Sequence, residues 1–302
     1  MSVLLPVVGR ILVLLALAPL LPGLITRFKS WAAGRRGPSV WQLYYDLARL
    51  WRKGVVLSTA ASPWHVAGTA VAWVALLAAA LLLPLGPWTS PLAFRGDAVL
   101  FVYLLALSRF CTALTAMDVG SAFTGMGAAR EVSYAVLAEA AVIAGLLALA
   151  VQNRSVSLSD MLTPASGAGT ALLGAGLFIV LLVENCRVPF DDPNTHLELT
   201  MIHEVMVLDH SGPPLGLVLH GAALKLLVFT LLLSQAMIPL GVRSEPLAAA
   251  LLVGTALVVA MAVGLTESIT ARLAFLRVPM LLTTGFLLCL FALLVSWKGG
   301  SW

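Results

Sequence analysis

Residues 217–240 read LVLHGAALKLLVFTLLLSQAMIPL, an apolar run whose one formally charged residue is Lys225. A helix needs about 20 apolar residues to cross a bilayer, so this stretch argues for a membrane span. Comparable runs lie at 3–25, 64–85, 98–117, 133–151, 168–183, 246–265 and 278–295. The expected fold is an all-α integral membrane protein of about eight transmembrane helices, forming a single membrane domain over residues 1–302. Composition agrees, with 60% hydrophobic residues, 11% charged residues and a mean hydropathy of +1.00, where soluble domains carry about 25% charged residues. A soluble enzyme and a disordered scaffold are excluded. The net charge of +4 is too diffuse for a phosphate-binding face, so the expected surroundings are a lipid bilayer and no nucleic acid is implied. The run at 3–25 is too long for a signal peptide and its Lys/Arg cluster follows it, which predicts a retained helix.

Eight spans divide the connections between two sides. Arg27, Lys29, Arg35, Arg36, Arg49, Arg52 and Lys53, with Arg130, Arg187, Arg272 and Arg277, fall on one side, eleven in all; Arg95, Arg154, Arg243 and Lys298 fall on the other. The positive-inside rule then places the richer side in the cytoplasm and both termini outside it, as expected for a multi-pass protein of a prokaryotic inner membrane.

The first cytoplasmic loop, 26–63, is long for a connector. Val40, Leu43, Tyr44, Leu47 and Trp51 share one arc of a helical wheel, with Asp46, Arg49, Arg52 and Lys53 opposite. That pattern predicts an amphipathic helix on the membrane surface.

The loop 184–215, ENCRVPFDDPNTHLELTMIHEVMVLDHSGPPL, holds Glu184, Asp191, Asp192, Glu198, Glu204 and Asp209 against a single basic residue, Arg187, together with His196, His203 and His210. Pro189 and Pro193 break the chain, and a helix is expected to begin near Asn194 or Thr195. On it Leu197, Met201, Val205 and Leu208 form an apolar stripe that also takes in Glu204. Desolvation on such a face moves a carboxylate's titration toward neutral pH. Glu198 and Asp209 share a neighbouring arc, and His196 and His203 a third. The loop therefore offers several groups able to exchange protons. His203-Glu204 opens like a zincin motif, but Val207 stands where the second histidine belongs, so no metal site is expected.

Within the spans, Glu139, Glu184 and Lys225 are the preferred candidates for an ion or proton path, because ionisable groups at that depth are costly and face wet or interior surfaces. Arg10 and Arg109 read equally well as snorkelling or helix-bridging residues, and Asp118 and Glu131 lie near span ends where they could reach water. Cys111, Cys186 and Cys289 form no C-x-x-C pair and no phosphate-cradling motif occurs, so the chain is expected to bind no cofactor and to carry no redox centre of its own.

The stretch from Glu184 to Asp191, with Glu198-Leu199 after it, resembles the E-x-N-R-x-P-F-D…E-L signature of the complex I membrane subunit that holds the entrance to the quinone chamber (the complex I subunit 1 family). Arg35-Arg36-Gly37-Pro38, with Asp46 and Lys53 downstream, is similar to that family's first-loop signature. Where complex I subunits continue into H-x-E-Y-S-G, this chain runs on from Thr195 to Gly212, a longer form that looks like the membrane anchor of group 4 nickel-iron hydrogenases of the formate hydrogenlyase type.

The resemblance implies an anchor and coupling subunit, non-catalytic in itself, of an oxidoreductase complex. Peripheral hydrogenase large and small subunits and an Fe–S subunit would carry the nickel-iron and Fe–S centres and dock on the cytoplasmic face. An antiporter-like membrane subunit would translocate protons alongside. Arg35, Arg36, Asp46 and Arg187 match positions of the docking surface or chamber mouth. Glu184, Asp191, Glu198, Glu204 and Asp209 match the acidic funnel, and Glu139 the span-four carboxylate. Lys225 has no counterpart and stands on its own as a proton-path candidate. The alternatives are a quinone-chamber subunit of a complex I-like dehydrogenase, in which quinone would bind, and a stand-alone ion transporter.

Overall fold

The computed structural model describes residues 4–162, 168–191, 201–238, 244–274 and 277–299. All regular structure in them is helical: α1 (Leu4–Leu17), α2 (Leu20–Ala32), α3 (Gln42–Trp51), α4 (Trp64–Leu82), α5 (Asp97–Asp118), α6 (Ala122–Asn153), α7 (Leu158–Met161), α8 (Ala168–Glu184), α9 (His203–Met206), α10 (Gly212–Met237), α11 (Glu245–Ile269) and α12 (Val278–Gly299). Among the described residues seven helices are long and apolar enough to cross a membrane, α1 and α2 together supplying the first over Val7–Ala32. The eighth expected run is α8, apolar but only 17 residues long. The protein is an all-α integral membrane protein.

Two helices extend farthest beyond their apolar runs. The first continues from residue 25 to Ala32, through Arg27 and Lys29, with a break at Ala18-Pro19, where proline has no N–H to donate to the preceding turn. It stops at Gly34, which takes φ +66°. There Arg35 N donates to Ser30 O at 2.9 Å and Gly34 N to Trp31 O at 3.0 Å, the paired bonds of a Schellman end. The fourth span begins at Ala122, eleven residues before its apolar run, and so takes Glu131 into a helix. Hydropathy marks where a helix meets lipid, whereas backbone bonding carries it into the interface.

The connections sort to two ends of the bundle. At one, Ser62 binds Asp118 through N and Oγ (2.8 and 2.7 Å), Ser211 Oγ donates to Val56 O (2.7 Å), and Leu273 N donates to Pro189 O (3.0 Å). This gathers the segments after α2, α5, α8 and α11 into one face, called the loop face below. At the opposite end Asp97 accepts from Leu158 N (2.6 Å) and Gln235 donates to Pro84 O (2.9 Å).

Small residues let the helices close. A Cβ on Gly176 of α8 would lie 2.6 Å from the Cys289 sulfur of α12, and one on Gly145 of α6 would lie 2.9 Å from Leu177, the small-residue packing expected where lipid supplies no hydrophobic drive. The outer surface stays apolar, with Phe110, Val136, Val253 and Val258 exposed.

The amphipathic helix of the first loop is α3. It buries Leu47 and Leu50, with Leu43 packed beside them, while Trp51 is exposed. Leu50, three residues after Leu47, completes the i, i+4, i+7 face that the wheel gave to Trp51.

The helix expected to begin near Asn194 or Thr195 has its start outside the described residues, and from Met201 onward the expectation is corrected. Met201 and Ile202 are not helical, and only the single turn His203–Met206 follows. Leu208, assigned to its apolar stripe, is exposed. The cause is tertiary anchoring: Ile202 N and His203 N both donate to Asp191 Oδ2 (2.9 and 3.2 Å), and Arg130 donates to Met201 O (3.0 Å). These bonds take up backbone groups that a continuous helix would use itself. Asp192, His196, Leu197 and Glu198 lie outside the described residues.

Candidate functional site: a charged cluster within the bundle

Arg109 stands in the middle of α5, and ionisable residues of α6, α8 and α10 gather around it. It pairs with Glu139 at 2.8 Å, with Glu131 at 3.6 Å, and closely with Glu184. Lys225 of α10 pairs with the other oxygen of Glu184 at 2.8 Å. The Arg109 and Glu184 side chains are 8% and 1% exposed. A buried charge persists only when partnered, and the planar guanidinium, with five N–H donors, suits one arginine to three carboxylates. With every group ionised, three acids against two bases leave a formal charge of −1, which one proton would neutralise. Glu139 sits at the margin. Its side chain is 39% exposed, beside Val136 and Ile143 on the outer face of α6.

A cavity of about 60 Å³ opens on the cluster, lined by Arg109, Glu131, Lys225, Ser108, Thr112 and His203 among others. A second, of about 230 Å³, lies toward the loop face beside Cys186, Arg187, Asp191, His203 and Glu204. Each exceeds the roughly 10–15 Å³ that one water requires.

The expected site residues separate into groups. Glu139, Glu184 and Lys225 join the cluster. Glu204 is half-buried at the second cavity, and Asp191, 2% exposed, supports the α9 turn and pairs with Arg272 at 3.3 Å. Asp209 is exposed on the loop face, and Glu198 is not among the described residues. Arg35, Arg36 and Arg187 line a third cavity of about 510 Å³ with Lys29 and Glu267. Glu267 bridges Arg187 (3.2 Å) and Lys29 (3.4 Å). Asp46 stands apart, paired with Arg49 on its own helix at 2.9 Å.

Three features were not among the preferred candidates. Arg109 is the centre of the cluster, Glu131 is a member and not a water-reaching end, and Glu267 joins α2 to the loop after α8. The signal for Glu267 was an acid just past the apolar run of its span.

Beside the first cavity two imidazoles stack, His65 and His210, with ring centres 4.1 Å apart. Thr69 Oγ1 donates to His65 O (2.7 Å) and so accepts from His210 Nε2 (3.1 Å). His210 Nδ1 then has no partner among the described residues. Burial first, then the nearby His65 and His203, holds His210 down at about 4, against about 6.5 in an unfolded chain. Between those values the unfolded state takes up a proton that the folded state refuses. The associated stability is therefore complete above about pH 6.5 and declines toward pH 4, by up to about 1.4 kcal/mol per pH unit. Thermal unfolding in detergent should fall in temperature from pH 7.5 to 5, and His210→Gln should flatten that slope; equal slopes in both proteins would contradict the assignment.

A family model described as NADH dehydrogenase matches residues 5–297. The chain therefore belongs to that family, the complex I subunit 1-like membrane proteins. Its relatives include two proteins of Escherichia coli K12. Hydrogenase-4 component C is 31% identical over 97% of this chain and 95% of its own length, and formate hydrogenlyase subunit 4 is 31% identical over 95% and 96%. The fold is also that of a chain in the archaeal membrane-bound sulfane sulfur reductase, with a TM-score of 0.84, 19% identity and full coverage of both chains.

Proposed function

We propose that the chain is the membrane anchor and coupling subunit of a group 4 hydrogenase-type complex, linking electron transfer in a peripheral arm to proton translocation in the membrane. The observation that carries this reading is the Arg109 cluster: five ionisable residues from four helices, with a cavity at its edge and a formal charge that one proton would balance. Intramembrane ionisable groups mark proton pathways because their burial has to be compensated.

The loop face is the docking side for the hydrogenase large and small subunits and the Fe–S subunit. Arg35, Arg36 and Arg187, gathered around one cavity, are its basic contacts. The chain contributes no redox centre; nickel-iron and Fe–S centres belong to those partners. The flank of α6 is the seat of the antiporter-like subunit, because a half-exposed Glu139 amid Val136 and Ile143 calls for a protein neighbour in place of lipid. The quinone-chamber reading draws on the largely apolar wall of the 230 Å³ cavity, including Pro22, Leu43, Leu219 and Leu226; quinone extracted from the purified complex would favour it.

The loop face is cytoplasmic on this reading, and both termini lie outside the cytoplasm. Lys53 and Arg95 are both exposed and belong to opposite ends of the bundle. In right-side-out vesicles an impermeant maleimide should modify Arg95→Cys and leave Lys53→Cys untouched until the membrane is opened. Labelling of both from one side would overturn the orientation. Affinity purification of the subunit should retain nickel-bearing partners, and their absence would remove the hydrogenase assignment.

A further inference from the structure

The inner and outer cavities meet at three residues common to both linings: Val218, Ala222 and His203. Two are hydrocarbon and cannot carry a proton. The inner cavity faces Arg109, Glu131 and Lys225, and the outer faces Arg187, Asp191 and Glu204, so among the described residues the titratable side chain shared by both linings is the His203 imidazole. Its support is rigid. The His203 N–H and the Ile202 N–H are held by Asp191, Arg130 holds Met201 O, and a Cβ on Gly127 would lie 2.9 Å from Val205 and 3.0 Å from Met206. The α9 turn is thus clamped against α6 with its histidine between two spaces large enough for water.

We infer that His203 is the proton relay between the outer cavity at the loop face and the Arg109 cluster, an inference that rests on the proposed proton path. A water of one cavity gives a proton to one ring nitrogen, and the other nitrogen releases its proton to water in the second cavity. A turn of the ring then restores the starting tautomer without returning the proton, and no electrons move. Among the described residues the groups facing this path are Cys186, Arg187, Asp191 and Glu204 outside and Arg109, Glu131 and Lys225 inside, with His210 alongside.

The test uses the native complex in sealed vesicles, turning over with a viologen dye, with His203→Gln, His203→Ala and Glu184→Gln compared. Proton uptake per turnover should drop at least tenfold in both His203 variants while subunits and dye-linked activity are retained. Added imidazole should restore uptake to His203→Ala several-fold, a response that loss of a packing contact would not give. Normal uptake in the His203 variants beside impaired uptake in Glu184→Gln would overturn the relay and leave the proton path standing. Normal uptake in all three would remove both. Uptake lost in His203→Ala but untouched by imidazole, or loss of assembly in both His203 variants, would make His203 a structural support and end the proposal.

Discussion

Replacing Arg109 with glutamine should destabilise the subunit by about 3–5 kcal/mol, the range expected when one partner of a buried ion pair is removed. Three carboxylates, from α6 and α8, lean on this guanidinium, and Glu184 is 1% exposed. Without it the formal charge of the cluster goes from −1 to −2 with Lys225 as the remaining cation. Arg109→Lys keeps the charge but cannot span three acceptors, because an ammonium lacks the planar fork, so its loss should be intermediate. Glu184→Gln added to Arg109→Gln returns the formal charge to −1 and should recover part of the loss, consistent with coupling of about 0.5–3 kcal/mol between contacting residues. Thermal unfolding in detergent and yield after extraction read these effects. Arg109→Gln within about 0.5 kcal/mol of the parent, the range of ordinary surface substitutions, would show that the carboxylates do not depend on it.

The spans were legible because the bilayer imposes its length on the sequence, and Glu139, Glu184 and Lys225 stood out against that background. Arg109 was harder to read. An isolated arginine in an apolar helix looks the same whether it snorkels or gathers acids, and its partners Glu139 and Glu184 are 30 and 75 residues away. Glu131 was obscured because the apolar run begins after it, although backbone bonding carries α6 back to Ala122. The α9 region failed in the opposite direction. A helical period is written across residues 197–208, yet over the described part, from Met201 onward, Asp191, Arg130 and Gly127 hold one short turn, so there tertiary contacts overrode the local pattern. The His65–His210 stack joins the start of α4 to the end of the acidic loop, and no spacing in the sequence announces it.

Glu184→Gln should have the largest functional effect. Glutamine preserves the shape and a hydrogen-bonding carbonyl, but it cannot release and regain a proton. It also brings the cluster from −1 to neutral, with Arg109 still held by Glu131 and Glu139, so assembly should survive where it would suffer in Arg109→Gln. Glu139→Gln likewise removes an exchangeable proton at the flank of α6 while leaving Arg109 paired with Glu131 and Glu184. Glu204→Gln acts farther out, at the 230 Å³ cavity.

The direct measurement of coupling is proton uptake by sealed vesicles carrying the native complex, followed with a pH-sensitive dye during turnover and paired with subunit retention on purification. The expected result is uptake lowered at least tenfold in Glu184→Gln and Glu139→Gln, and lowered by a smaller factor in Glu204→Gln, with every subunit retained. Undiminished uptake in all three variants would contradict the proton path and leave a docking platform in its place.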